Sequence, residues 1–170
     1  DLSESACERS VRARAGQLWR DIMDLRTITA DFAVAPQISP ADLTVLAEAG
    51  FKTVICNRPD EETEAGFDQA AMRAAAQALG LAFHYLPYYP GALTPELVAE
   101  FETVMAAAER PVFAYCRSGT RSSHLWAMNE AGQREIPEII ALAAEAGYDH
   151  RALEGLLLDH RDHKQQAEKA

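Results

Sequence analysis

The chain has 170 residues, 48% of them apolar and 25% charged, with a formal net charge of −10. That length supports one compact domain with its own core, and the composition excludes a disordered or collagen-like chain. The acidic balance argues against neutralising a nucleic-acid backbone, and the longest apolar run, Ile139–Ala144, falls far short of the ~18 residues of a membrane span, so neither nucleic acid nor membrane is an expected partner.

Residues 1–22 are polar and helix-prone and read as an appended N-terminal segment; they lack the basic start and apolar core of a secretory signal. The domain proper is expected over 23–170. From Asp24 short β-type runs alternate with helical ones, the pattern of an α/β domain around a mostly parallel sheet. Leu25–Ile28 and Phe32–Ala35 read as strands around a turn at Thr29–Asp31. Ser39-Pro40-Ala41-Asp42 supplies an N-cap, a proline in the first turn and an acid, opening a helix that Gly50 closes. The β-branched run in Lys52–Asn57 suits a buried central strand. After an acidic loop, Arg58–Gly66, the alanine-rich stretch Phe67–Leu79 predicts a helix stopped by Gly80, and Leu81–Leu86 another strand. Pro87-Tyr88-Tyr89-Pro90-Gly91 breaks either ladder. Thr94-Pro95-Glu96 opens a helix running to about Glu109, and Pro111–Tyr115 is the next buried strand. Ser122–Glu130 and Pro137–Ala146 read as helices, and Asp149 as the cap of a last amphipathic one.

Chemistry concentrates at Cys116-Arg117-Ser118-Gly119-Thr120-Arg121-Ser122. A cysteine at the carboxyl end of a buried strand, followed by a short glycine-bearing loop and a helix, sits where open α/β sheets bind ligands. Backbone N–H groups of such a loop, with the dipole of the helix behind them, form a cradle for negative charge. Cys116 in that cradle is a nucleophile candidate. Arg121 is placed to clamp two oxygens of a bound oxyanion, and Ser122 to hydrogen-bond the sulfur. Arg117, Ser118, Gly119 and Thr120 form the anion-binding loop, with Gly119 free to take a positive φ. The reading requires a reachable sulfur and amides that converge on it. The bland alternative is a buried filler cysteine with two solvated arginines.

Three stretches, Phe32–Pro40, Asn57-Arg58-Pro59-Asp60-Glu61-Glu62 and Cys116–Ser122, resemble the Blh family, the phosphatase-like domain of beta-lactamase-hydrolase-like proteins. The likeness runs from about Leu25 to the Tyr148 region. It implies a fold similar to dual-specificity and tyrosine phosphatases and a cysteinyl-phosphate mechanism, with Cys116 as nucleophile and Arg121 as phosphate clamp. Two departures stand out. Cysteine phosphatases normally place five residues between Cys and Arg, whereas this loop has four and also reads like that of a rhodanese. Leu86–Leu93, where a phosphatase usually carries its acid, contains no Asp or Glu. Asp60 is the nearest candidate proton donor by topology.

Arg58 follows a strand and can add positive charge to the crevice or pair with Asp60 or Glu62. Tyr88 and Tyr89 can wall the site, and His124, early in the helix after the loop, can stabilise a thiolate. No metal or other cofactor is expected, because the histidines lack ligand partners at matching spacing. Cys7, Cys56 and Cys116 are too few for a disulfide framework and point to a reducing cytoplasm. The expected activity is a cysteine-dependent phosphatase-like hydrolase acting on a small phosphate ester or a phosphoprotein. A sulfurtransferase that takes a sulfane-sulfur donor and carries persulfide on Cys116 is the alternative, and a non-catalytic oxyanion-binding module the third.

Overall fold

The computed structural model describes residues 23–169; the predicted N-terminal helical segment lies outside them. Strands β1 (Arg26–Thr29), β2 (Phe32–Ala35), β3 (Thr53–Cys56), β4 (Ala82–Tyr85) and β5 (Val112–Tyr115) form one sheet in the order β1-β2-β5-β3-β4. The β1–β2 pair is an antiparallel hairpin, and all other pairings are parallel. Strands β2, β3 and β5 are buried along their whole length, which is why they read as continuous apolar runs rather than alternating ones.

Period-two alternation sends their side chains to two separate cores. Phe32, Val34, Ile55, Val112 and Ala114 face one layer, packed by α3 (Pro95–Ala107), α4 (Thr120–Glu130), α5 (Ile136–Glu145) and α6 (Glu154–Glu168) through Phe101, Leu125, Trp126, Ile139 and Leu157. Ala33, Ala35, Val54, Phe113 and Tyr115 face the other, covered by α1 (Pro40–Glu48) and α2 (Gln69–Ala78) through Leu43, Leu46, Met72 and Ala76. The result is the three-layer α/β domain expected from the alternation of elements.

The sharpest local signal forms as read. Ser39 accepts the Asp42 amide while Asp42 Oδ2 accepts the Ser39 amide at 2.8 Å, a reciprocal capping box with Pro40 in the first turn. Elsewhere boundaries shift. Helix α4 starts at Thr120, two residues before the expected Ser122, because Gly119 itself makes the turn out of the strand. Asp149 caps a short 3₁₀ turn, Arg151–Leu153, by accepting the Arg151 amide at 3.1 Å, and α6 begins only at Glu154. Among the described residues no helix is long and apolar enough to cross a membrane.

Loss of the Ser39 cap should be measurable. Ser39→Ala is expected to lower unfolding stability by about 1 kcal/mol, read as a lower urea midpoint at unchanged slope; an unmoved midpoint would show that the box contributes nothing.

Candidate active site

Central strand β5 delivers Cys116 to the carboxyl edge of the sheet, where the ends of β2, β3 and β4 also converge. The ladder continues past the strand ends: the Cys116 amide donates to Ala35 O at 3.4 Å and the Asn57 amide to Tyr115 O at 2.8 Å. The chain then turns through Gly119, at φ 90°, into the first residue of α4. This turn places the Gly119 N–H 3.1 Å from Cys116 Sγ, donating to it. Among the described residues no acceptor is bonded to the amides of Arg117, Ser118, Arg121 or Ser122. Gly119 is required twice. Its positive φ opposes a side chain, and a Cβ there would collide with the hydroxyl of Tyr148, which donates to Ser118 O at 3.3 Å and braces the loop from behind. Ser118 and Thr120 are tied together by a hydroxyl–hydroxyl bond of 3.0 Å, and Arg117 is exposed.

Arg121 lies in the first turn of α4, and its guanidinium makes three hydrogen bonds. Nη1 and Nη2 fork onto the Glu62 carboxylate at 3.0 and 2.7 Å, and Nη1 also donates to Tyr88 O. Arg58 Nε lies 3.6 Å from the same carboxylate, with Nη1 on Gln37 Oε1 at 3.2 Å. The Arg121 hydrogen bond, aided by the charges of Arg58 and Arg117, holds the Glu62 carboxyl below the usual carboxylate range despite its partial burial. Arg121 from the helix and Arg58 from the loop after β3 thus both reach one carboxylate, with Arg117 acting on it by charge. Gln37, Arg58, Glu62, Glu64 and Phe67 line a cavity of about 260 Å³ beside it.

Tyr88 is buried and anchored at several points. Its amide donates to Asn57 O at 2.8 Å, its carbonyl accepts from Arg121, and its hydroxyl is hydrogen-bonded to His124 Nδ1 at 3.1 Å. His124 packs on His150, with ring centroids 4.9 Å apart. Ser123 Oγ donates its one proton to Thr120 O at 2.7 Å, so its 2.8 Å contact with His150 Nε2 makes that nitrogen the donor. Burial lowers the pKa of both histidines, and the neighbouring ring helps bring His124 to about 4.

Several expectations are corrected. Cys116 is 0% exposed, so the sulfur expected to be open lies covered at the floor of the loop. Ser122 donates to Asn57 Oδ1 at 2.8 Å, not to the sulfur; a hydroxyl has one proton, and the buried Asn57 amide, held by Leu86 O at 2.9 Å, takes it. Asp60 Oδ1 accepts the Gln69 amide at 2.7 Å and its own amide donates to Tyr85 Oη, so this carboxylate caps α2 instead of facing the loop. His124 is neutral at neutral pH and cannot stabilise a thiolate as a cation. Tyr89, 46% exposed, lies outside the cradle and donates to Glu61 at 3.0 Å, pinning its loop to the 3₁₀ turn Asp60–Glu62. Arg58 pairs with Glu62, one of the two partners foreseen. Glu62, Asn57, Tyr148 and His150 were not singled out as site residues. For the first two, position at the end of β3 in the Asn57–Glu62 stretch was the available signal.

Comparison with known proteins places the chain by family and fold. The family model for the beta-lactamase hydrolase-like protein, phosphatase-like domain, matches residues 24–133. The chain belongs to this family. A beta-lactamase hydrolase-like protein of Agrobacterium fabrum is 33% identical over 118 residues, covering 68% of this chain and 27% of its own length. The chain therefore spans less than a third of the curated relatives it matches. A crystal structure of a phosphatase candidate from Neisseria meningitidis superposes with TM-score 0.69 at 34% identity, covering 80% of this chain and 97% of that one. Kinase-associated phosphatase, with its catalytic-site cysteine substituted by serine, superposes with TM-score 0.62 at 13% identity over 81% of this chain and 92% of its own. This phosphatase-like domain shares the fold of the cysteine phosphatases.

Substitutions at Gly119, Tyr148 and Glu62 probe the loop and its surroundings. Gly119→Ala is expected to cost more than about 1 kcal/mol, part of it recovered when Tyr148→Ala removes the colliding hydroxyl; a double-mutant cycle in urea checks this. Glu62 titrates below its unfolded value, so its stabilisation is complete above the usual carboxylate range and is lost as pH falls through its folded value. Glu62→Gln should therefore cost about 2 kcal/mol at neutral pH and progressively less in acid, where equal differences at every pH would contradict the pairing.

Proposed function

We propose that the domain hydrolyses phosphomonoesters, a small phosphate ester or a phosphoprotein, through a cysteinyl-phosphate on Cys116. The observation that carries this reading is the Gly119 amide bonded to Cys116 Sγ at the turn into a helix, with unbonded amides on the residues beside it and Arg121 in the first turn of that helix. In the proposed reaction Sγ attacks phosphorus and the ester oxygen departs. Water then attacks the thiophosphate and returns the sulfur to its anionic form. The amides of Arg117, Ser118, Arg121 and Ser122 bind the equatorial oxygens, where charge gathers, and a donor fixed before the reaction needs no reorganisation during it. Arg121 contributes its guanidinium, oriented in advance by Glu62. Because Cys116 has no exposed surface, reactant entry requires displacement of the residues around it, and the Arg121–Glu62–Tyr88 contacts are those that close the guanidinium. Cys56 and Cys116 are both free thiols, which suits a reducing compartment such as the cytoplasm.

The four-residue spacing from Cys116 to Arg121 favours a second reading, sulfur transfer through a Cys116 persulfide, since a tighter loop suits one sulfur better than a phosphoryl group. The two readings separate cleanly. An aryl phosphate is expected to be hydrolysed, with vanadate inhibiting, and Cys116→Ser to lower turnover on the order of 10³-fold or more while circular dichroism is retained. Iodoacetamide should label Cys116 in the native protein more slowly when phosphate is present. Turnover that survives in Cys116→Ser overturns the mechanism. A gain of one sulfur by intact mass after thiosulfate, without phosphate hydrolysis, selects the second reading.

A further inference from the structure

Among the described residues, the stretch where a phosphatase usually carries its acid and the two carboxylates bonded beside the loop do not supply one. Leu86–Leu93 carries no carboxylate, Glu62 is held ionised by Arg121, and Asp60 accepts the Gln69 amide. Yet departure of an alkoxide demands a proton, because an unprotonated alkoxide is close in basicity to hydroxide. Of the buried hydroxyls near the loop, those of Ser122, Ser123 and Tyr148 donate to Asn57, Thr120 and Ser118, whereas that of Tyr88 meets a histidine nitrogen.

We propose that Tyr88 is the proton donor to the leaving group in the phosphatase reaction inferred above, with His124 as its positioning residue. The geometry supports this at each end of the residue. The Tyr88 carbonyl is bonded to the Arg121 guanidinium, so the residue is fixed to the group proposed to hold the phosphate. Its hydroxyl meets His124 Nδ1 at 3.1 Å, three residues after Arg121 on the same helix. His124 is in turn packed on His150, whose Nε2 donates to Ser123. Burial raises the Tyr88 pKa, with Arg121 opposing and Cys116 adding to the rise, so the phenol carries its proton at neutral pH. A neutral His124 can donate Nδ1–H to the phenolate as it forms.

The step balances without an outside reagent. As the bond from Sγ to phosphorus forms, the ester P–O bond breaks, and its electron pair stays on the departing oxygen, which takes the Tyr88 proton. In the second half water attacks phosphorus and gives one proton to the Tyr88 phenolate, while the P–S bond breaks and its pair returns to sulfur. Enzyme and phenol are restored, and the products are an alcohol and hydrogen phosphate.

A phenol whose pKa burial raises above that of free tyrosine still gives its proton to the far more basic alkoxide but gains nothing by giving it to a nitrophenolate, a weaker base than itself. General acid catalysis of this kind contributes about 10²–10⁴-fold. The proposal therefore predicts a split by leaving group. In Tyr88→Phe the loss of kcat on an alkyl phosphate should exceed the loss on nitrophenyl phosphate by about 100-fold, and His124→Ala should show the same split, on the order of 10-fold. For the unmodified protein, log kcat across a series of aryl and alkyl phosphates should fall only shallowly with leaving-group basicity, a measurement that does not depend on either variant folding. Equal losses on all esters in Tyr88→Phe, or a steep dependence in the unmodified protein, would overturn the role of Tyr88 while leaving Cys116 chemistry standing. Turnover insensitive to Cys116→Ser would instead overturn the phosphatase reading itself.

Discussion

Between Cys116 and Arg121 only four residues must turn the chain from a fully buried strand into a helix while bringing the Gly119 N–H onto the sulfur. A side chain at the pivot would meet a left-handed conformation and the Tyr148 hydroxyl together, so Gly119 is fixed by backbone and packing at once. Everything else at the site is arranged around this turn. Helix α4 starts at its end, putting the positive pole of the helix at the sulfur. Arg121 and His124 then project from one helical turn, one to Glu62 and the other to Tyr88.

The charge of the site is set against that of the molecule. With a net charge of −10, the protein as a whole repels anions. At the loop, Arg121 and Arg58 both reach the Glu62 carboxylate and Arg117 acts on it by charge, so three cations stand near one another within an acidic molecule. The Glu62–Arg121 pair is weak grounds for stability, because desolvating two charges offsets much of their attraction. Its value lies in position: a bidentate fork fixes the guanidinium plane, and Glu62 leaves little rotational freedom to lose when an oxyanion arrives.

The fold was legible because its signals are local. Strand β3 reads from Thr53-Val54-Ile55-Cys56 and α1 from Ser39-Pro40-Ala41-Asp42, each within a few residues. The loop from Cys116 to Arg121 reads for the same reason. What surrounds it does not. Glu62 and Arg121 are 59 residues apart, Tyr88 and His124 36, and Ser123 and His150 27, and only the parallel sheet brings them together. Asp60 was the natural carboxylate to nominate at the end of β3; a two-residue difference around a 3₁₀ turn gives Glu62 the arginine and Asp60 the helix α2 amide. Ser122 was misassigned because sequence shows a hydroxyl beside the loop but not the buried Asn57 that claims it.

Held by Asn57 after β3 and by Arg121 and His124 of α4, Tyr88 has both its backbone and its side chain fixed, and the two prolines of its segment restrict the chain on either side. Such a residue cannot respond to the site in parts. An oxyanion that draws the Arg121 guanidinium toward itself loosens the bond to the Tyr88 carbonyl, and the hydroxyl at the other end then rests on His124 alone. The Arg121 guanidinium thus joins Glu62 to the Tyr88 carbonyl, so any change in the bonds of this one side chain bears directly on the segment that positions Tyr88.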